Sequence, residues 1–234
     1  MSTLAAEIAF AAGGARRAVR PLAWLFDLDN TLHNASPHIF PHINRAMTDF
    51  IATRLSLPEP QAQALRMHYW HRYGATLTGL ARHHFIDPRD FLWETHQFPD
   101  LRDMLVADAG LRHMLRRLPG RKIVFSNSPL HYAERVLELL GIAGLFDAVY
   151  SIETVRFNPK PAPAGFRLLL QAEGLRADRT ILVEDTLVNL RAARALGLGT
   201  VWVSREPKRP PYVDLRVSSV LEIPRTIVRQ RLFR

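Results

Sequence analysis

Two acidic residues, Asp27 and Asp29, are separated by one residue and follow an apolar run at positions 22–26. Because side chains alternate along extended backbone, the two carboxylates are expected to point the same way. Buried carboxylates are costly unless they are paired, hydrogen-bonded or bound to a metal. The spacing therefore favours one cation shared by two acids, or one nucleophile beside one proton carrier.

Three further polar clusters also follow or lie between apolar segments: Ser126 with Asn127, Lys160, and Glu184 with Asp185. In an open parallel sheet the carboxyl ends of the strands lie at one edge, so these clusters are expected to meet in one crevice. Carboxylates are oxygen ligands that Mg²⁺ prefers, and lysine and serine suit phosphoryl oxygens. The set predicts metal-assisted phosphoryl transfer by an aspartate nucleophile and a second acid that moves a proton.

Each cluster taken alone has an ordinary structural interpretation. The first acid pair could form a solvated turn, and Ser126–Ser128 could cap a helix. Lys160 could be a surface lysine, and Glu184–Asp185 could be an acid pair at a helix N-terminus. Their occurrence together, in this order and each near a predicted strand end, favours a shared site.

Strand and helix patterns alternate after position 120. Apolar runs predict a first strand at 22–26 and, after position 120, strands at 122–125, 147–152, 180–183 and 200–203. Helical patterns between them cover 129–140, 163–173 and 187–196, the first with Ser128 as its N-cap. This alternation predicts an α/β fold with a Rossmann-like parallel sheet and right-handed crossovers.

Between the first two strands the pattern is helical. We expect helices at 40–55, 61–73, 76–84 and 88–96, with Trp70, Phe91 and Trp93 in their core. At 234 residues the chain can form one domain with a substantial insertion. We predict an N-terminal extension at 1–20, a core at 21–32 and 113–234, and an inserted α-helical cap at 33–112.

Composition excludes several classes of site. The chain has no cysteine, which excludes disulfides and cysteine-bound metal centres and is typical of a cytoplasmic protein. No apolar stretch approaches the roughly 20 residues that span a bilayer, so no membrane partner is expected. The N-terminal residues lack the order of charge and apolar core of a secretory signal.

The formal net charge is +9, and residues 205–234 carry eight Lys and Arg against three Asp and Glu. This excess could reflect composition alone, attract anionic substrates, or bind nucleic acid. The basic residues are scattered rather than interleaved with aromatic residues in one stripe, which disfavours a nucleic-acid partner.

Four segments resemble the motifs of the haloacid dehalogenase superfamily of phosphohydrolases. They are Phe26–Leu32, Phe125–Asn127, Asn158–Pro161 and Val183–Asn189. The resemblance covers about residues 22–204, and the helical block at 33–112 stands where that superfamily carries a helical cap. It implies a Mg²⁺-dependent phosphatase.

A closer resemblance is to the pyrimidine 5′-nucleotidase-like branch. It rests on His71–Leu80 in the helical block, Leu139–Asp147 after the second motif, and Leu221–Pro224. It implies nucleoside 5′-monophosphates as substrates, with a sugar phosphate or phosphoglycolate-type ester as the alternative.

The resemblance also implies roles for single residues. Asp27 would be the nucleophile and Asp29 the general acid and base. Asp27, the backbone carbonyl of Asp29, and Asp185 would hold Mg²⁺, while Ser126, Asn127 and Lys160 would bind phosphate. Glu184 stands where many relatives carry aspartate, and it would either reach the metal, directly or through water, or hydrogen-bond Lys160.

Substrate contacts are expected from the helical block. His33, Tyr73 and Thr76 are the candidates, with Tyr73 placed to stack on a base.

Two other functions stay open. A dehalogenase needs no Mg²⁺ site, and Asp29 with Glu184–Asp185 argue against it. An interaction protein would bind through the basic segment 225–234.

Overall fold

The computed structural model describes residues 22–230. The predicted extension at 1–20 and the last residues of the basic segment lie outside this range. Within it, six strands form one parallel sheet in the order β3-β2-β1-β4-β5-β6. Their bounds are β1 Ala23–Phe26, β2 Arg121–Phe125, β3 Ala148–Tyr150, β4 Thr180–Glu184, β5 Gly199–Val203 and β6 Leu215–Val217. The predicted α/β Rossmann-like class is confirmed.

Helices fill the connections between the strands. They are α1 Ile39–Leu55, α2 Glu59–Tyr73, α3 Thr76–His84, α4 Pro88–Thr95, α5 Leu101–Met104, α6 Leu111–Arg117, α7 Leu130–Leu139, α8 Pro163–Ala172, α9 Leu187–Ala195 and α10 Ile223–Gln230. As expected from sequence, α2 ends at Gly74, whose φ of 77° is the left-handed conformation that glycine adopts most easily. None of the helices in residues 22–230 is long and apolar enough to cross a membrane.

The register of the sheet places the polar strand ends side by side. β1 is central and fully buried, as expected for a parallel strand covered on both faces. Phe26 lies opposite Val124 of β2 and Val183 of β4. The residue after Phe26 is therefore a neighbour of Glu184, at the carboxyl edge of the sheet.

Each face of the sheet has its own apolar cluster. Trp24 and Phe26 face one cluster, which includes residues of α6 and α7, whereas Leu25 faces the other, which includes residues of α8 and α9. A third cluster lies among α1 to α4 and includes Phe50 and Phe91.

The predicted cap boundaries can be compared with this packing. Ala35, Ile39, Leu101 and Leu111 belong to a cluster of the sheet, although all four lie inside the range 33–112. The separate helical cluster draws mainly on residues 50–92. The division of the chain at 33 and 112 stays a prediction.

Several local expectations were wrong. Trp70 and Trp93 are 52% and 59% exposed, and Phe91 alone of the three is buried. β6 was not predicted, because a three-residue strand gives little periodicity. The N-cap of α7 is Pro129, since the side chain of Ser128 hydrogen-bonds Asp29 instead.

Candidate active site

Asp27 lies one residue beyond β1 and is fixed by the neighbouring strand. Its backbone N–H donates to the carbonyl of Val183 over 3.0 Å. Its carboxylate is 7% exposed, with Oδ1 2.6 Å from Lys160 Nζ and Oδ2 3.2 Å from the Thr31 hydroxyl. The backbone thus continues the sheet while the side chain enters a polar pocket at its edge.

Lys160 joins two of the predicted strand-end clusters. Its buried ammonium also donates to Glu184 Oε2 over 2.8 Å, and lies 5.3 Å from the ring of Phe125. The Asn127 side chain holds the backbone of Lys160 from both sides. Asn127 Oδ1 accepts from Lys160 N–H over 2.7 Å, and Asn127 Nδ2 donates to the Lys160 carbonyl over 2.9 Å.

Glu184 is buried and oriented by several donors. Its Oε2 accepts from Lys160 and from Asn189 Nδ2, and its Oε1 accepts from the backbone N–H of Thr186. Of the two interpretations made from sequence, the structure contains the hydrogen bond to Lys160. Asp185, the next residue, is half-buried and accepts from the Thr186 hydroxyl over 3.1 Å.

Asp27, Glu184 and Asp185 form a candidate metal centre. Each offers a carboxylate oxygen, and the three oxygens lie within 4.8 Å of one another. Three carboxylates around the one ammonium of Lys160 leave an excess of negative charge when all are ionised. A compact cluster of hard oxygen donors with excess negative charge is the donor set that suits Mg²⁺.

Burial and the charges of the neighbouring groups together set the pKa directions in this cluster. Burial and the charge of Glu184 raise the pKa of Asp27 well above its usual range. Burial and Glu184 raise the pKa of Asp185 to about 7. Burial alone would lower the pKa of Lys160, but Asp27 and Glu184 raise it instead. Burial opposes ionisation of Glu184 as well, yet Lys160 holds its pKa below the ordinary value.

The Asp29 carboxylate is hydrogen-bonded by three residues outside the cluster around Lys160. The Tyr132 hydroxyl donates to Oδ1 over 2.7 Å, His33 Nε2 lies 2.9 Å from the same oxygen, and the Ser128 hydroxyl donates to Oδ2 over 2.7 Å. Burial would raise the pKa of Asp29, but the bonds and charge from His33, with Tyr132 and Ser128, lower it. Burial and Asp29 raise the pKa of Tyr132, so its hydroxyl stays protonated.

The remaining phosphate candidate, Ser126, lies at the end of β2. It is 1% exposed, its N–H donates to the Tyr150 carbonyl, and its Oγ accepts from the N–H of Ser128 over 3.0 Å. Its hydroxyl hydrogen can still donate to an incoming anion.

The three predicted substrate residues have different positions. The side chain of His33 is fully buried and contacts Asp29. The Thr76 hydroxyl donates to the Arg66 carbonyl inside the helical block, and the Tyr73 hydroxyl lies 2.6 Å from His83 Nε2. The turn between Tyr73 and Thr76 nonetheless lies near the loop that carries Lys160, because a Cβ on Gly74 would be 3.7 Å from Cδ of Pro161.

Sequence reasoning did not identify Ser128 and Tyr132 as the residues that donate hydrogen bonds to Asp29. Ser128 precedes a proline and resembles a helix cap, and Tyr132 lies on the apolar face of α7. The available signal was their spacing, since polar groups four residues apart around a helix start can face the same side.

Three comparisons give this site a context. The family model described as haloacid dehalogenase-like hydrolase matches residues 23–197. Phosphate metabolism protein 8 of Saccharomyces cerevisiae is 29% identical over 76% of this chain, and the match spans only 60% of that protein's length. Phosphoglycolate phosphatase of Rhodospirillum rubrum is 28% identical over 86% of this chain and 87% of its own length. The crystal structure of a HAD phosphatase from Thermococcus onnurineus has the same fold, with a TM-score of 0.63, 20% identity, and coverage of 88% of this chain and 97% of that one.

Proposed function

Since the chain belongs to the haloacid dehalogenase-like hydrolase family, we propose that it is a Mg²⁺-dependent phosphomonoester hydrolase that forms an aspartyl-phosphate. One observation carries the proposal. The buried Asp27 carboxylate is paired with Lys160 and lies beside Glu184 and Asp185, at the carboxyl edge of the central strand. A buried nucleophile beside a cation and a metal-binding acid pair suits attack on a phosphoryl group.

The chemistry runs in two steps. A carboxylate oxygen of Asp27 attacks phosphorus, the bond from phosphorus to the alcohol oxygen breaks, and Asp29 gives that oxygen a proton. Water then attacks phosphorus, Asp29 takes the proton of the water, and the bond from phosphorus to Asp27 breaks. A bound phosphate ester adds negative charge near Asp29, which favours the protonated form needed in the first step.

Neighbouring residues hold the phosphoryl group. The ammonium of Lys160 and the hydroxyl of Ser126 are assigned to the phosphoryl oxygens. Asn127 is assigned to this group through Lys160, because its side-chain amide holds the backbone of that residue. Lys160 and Ser126 thus keep the predicted role of binding phosphate, and Asn127 is proposed to position Lys160.

Asp27, the backbone carbonyl of Asp29, and Asp185 are assigned to hold Mg²⁺. Glu184 is assigned to orient Lys160 rather than to bind the metal directly, since three donors, Lys160, Asn189 and the backbone N–H of Thr186, hold its two oxygens. When bound, the ion supplies positive charge that offsets the repulsion between the carboxylates and the phosphoryl oxygens.

Two substrate classes are proposed for this site. The nucleotidase-like segments in the sequence favour nucleoside 5′-monophosphates. The similarity to a phosphoglycolate phosphatase over 86% of this chain favours small phosphoglycolate-type esters. Comparing kcat/KM for nucleoside monophosphates, phosphoglycolate and sugar phosphates separates the two classes.

The reaction itself is tested with 4-nitrophenyl phosphate. We expect turnover that requires Mg²⁺ and is lost when the metal is chelated. Absence of turnover with this ester and with the whole substrate panel contradicts the proposal. Halide release from a 2-haloacid without Mg²⁺ favours a dehalogenase, and tight, salt-dependent binding of duplex nucleic acid favours an interaction protein.

A further inference from the structure

The Asp29 carboxylate is held on both of its oxygens. Tyr132, in the first turn of α7, donates to Oδ1, and Ser128, in the turn before that helix, donates to Oδ2, each over 2.7 Å. We propose that Tyr132 is a positioning residue that fixes the orientation of Asp29 for proton transfer to the leaving alcohol. This inference rests on the proposed function, because it gives a task to the acid of that reaction.

Tyr132 is itself held firmly in place. Its side chain belongs to the first turn of α7 and is 1% exposed. The ring lies 5.2 Å from the ring of Phe98 and 5.8 Å from the ring of His96. A buried ring fixed on its helix and packed against two aromatic neighbours defines the hydroxyl position closely.

The hydroxyl of Tyr132 is one of three contacts that restrict the rotation of the Asp29 carboxylate. A carboxylate bound on one oxygen alone can turn about the bond to its Cβ, because that terminal torsion is broad. Ser128 binds Oδ2, and both Tyr132 and His33 Nε2 contact Oδ1, so the Tyr132 hydroxyl adds a third contact that resists this rotation. Without it, Oδ1 keeps only the contact with His33, whose Nδ1 is buried with no hydrogen-bond partner among the described residues.

Misplacement of a general acid affects some substrates more than others. A nitrophenolate leaves readily without a proton, whereas an alkoxide requires one as the bond breaks. Loss of Asp29 positioning should therefore slow alkyl esters selectively. A purely structural defect would slow both kinds of ester by the same factor.

The test compares wild type with Tyr132→Phe, which removes one oxygen and keeps the ring. The substrates are 4-nitrophenyl phosphate and the alkyl phosphate that wild type hydrolyses fastest, with saturating Mg²⁺. Since general acid catalysis contributes roughly a hundredfold to ten-thousandfold, we expect kcat/KM to fall at least about tenfold for the alkyl ester and less than about threefold for the aryl ester.

The matched control is Tyr150→Phe. The Tyr150 hydroxyl also donates to a carboxylate, Glu173 Oε1, over 2.7 Å, but neither Tyr150 nor Glu173 is among the residues that hydrogen-bond Asp29. This variant should keep the wild-type ratio between the two esters. Equal losses for both esters in Tyr132→Phe, or no loss for either, overturn the inference.

A crystal structure of Tyr132→Phe gives a readout that does not depend on activity. We expect the Asp29 carboxylate to rotate or to become disordered, and an unchanged carboxylate overturns the inference. If wild type hydrolyses no ester, the proposed function fails, and this structure still decides whether Tyr132 positions Asp29.

Discussion

Lys160 lies between two buried carboxylates, 2.6 Å from Asp27 Oδ1 and 2.8 Å from Glu184 Oε2. We expect Lys160→Met to leave both acids without their cation. Removing one partner of a buried charge pair costs about 3–5 kcal/mol, and losing an electrostatic contact to the reacting group costs on the order of a hundredfold in turnover. Urea unfolding and kcat/KM for 4-nitrophenyl phosphate measure the two effects separately.

The double variant Lys160→Met with Glu184→Gln is the control for this prediction. It removes one of the stranded negative charges, so part of the lost stability should return. Activity should not return, because the cation assigned to the phosphoryl group is still missing. Wild-type kinetics in Lys160→Met would contradict the assignment of Lys160 to phosphate.

At this scale the sequence predicted which acids and which lysine would meet, and it offered the hydrogen bond between Glu184 and Lys160 as one of two alternatives, but it did not predict the pairing of Lys160 with Asp27. Asp27 follows β1, Glu184 ends β4, and Lys160 lies in the connection after β3, so the topology brings them to one edge. The pairing of Tyr132 with Asp29 depends on the rotation of α7 against the sheet. Periodicity indicates which face of α7 is buried, but it does not indicate which group across the sheet the Tyr132 hydroxyl reaches.

Helices α2 and α3 pack closely at Gly79. A Cβ at this position would lie 2.1 Å from Cγ of the buried Tyr69 ring. We expect Gly79→Ala to lower the free energy of unfolding by about 1–3 kcal/mol through overpacking, despite the better helix propensity of alanine. Chemical denaturation followed by circular dichroism measures the change.

Gly144→Ala is the matched control, because no atom lies within 4 Å of its added Cβ. This substitution should change stability by no more than about 0.5 kcal/mol. Equal stability of the two variants would contradict the close packing of α3 on Tyr69.

At the scale of elements, strong periodicity was sufficient for most of the fold. The predicted helix at 76–84 matches α3, and β1 to β5 and the longer helices appear close to their predicted bounds. β6 was missed because Leu215–Val217 is short and follows a segment rich in proline and arginine. Trp70 and Trp93 were misplaced because large aromatic residues are usually buried, and the sequence does not reveal which face of a helix lacks a partner.

The pH dependence of folding is a property of the whole molecule to which His96 contributes. Its ring is 6% exposed and lies 3.1 Å from the Leu92 carbonyl through Nδ1, and burial lowers its pKa to about 4. Below pH 6.5 the unfolded chain binds a proton at this histidine, whereas the folded protein binds it only near pH 4. Stability should therefore fall as pH decreases from about 6.5 to about 4, by up to about 3 kcal/mol from this group.

His96→Asn should remove this contribution, since asparagine can donate to the same carbonyl and does not titrate. Unfolding free energies measured across that pH range give the comparison. The control His113→Asn alters an exposed histidine on α6 and should keep the wild-type slope. An unchanged slope in His96→Asn would contradict the burial of this ring as its origin.

The arrangement of the whole sheet was only partly accessible from sequence. Alternation of strands and helices predicted parallel strands, but the order β3-β2-β1-β4-β5-β6 depends on which strands pair over long distances. The pairing of β1 with β4 is what places Asp27 beside Glu184. The proposed reaction therefore depends on this pairing, while the choice of substrate depends on how the helical block faces this edge.

The central claim is that Asp27 receives the phosphoryl group, and trapping the intermediate tests it most directly. Borohydride reduces an aspartyl-phosphate to homoserine, which peptide mass spectrometry locates in the sequence. With substrate and Mg²⁺ present, we predict homoserine at position 27 in wild type, and neither the product nor turnover in Asp27→Asn. Undiminished Mg²⁺-dependent turnover in Asp27→Asn, or homoserine at another aspartate, would contradict the account.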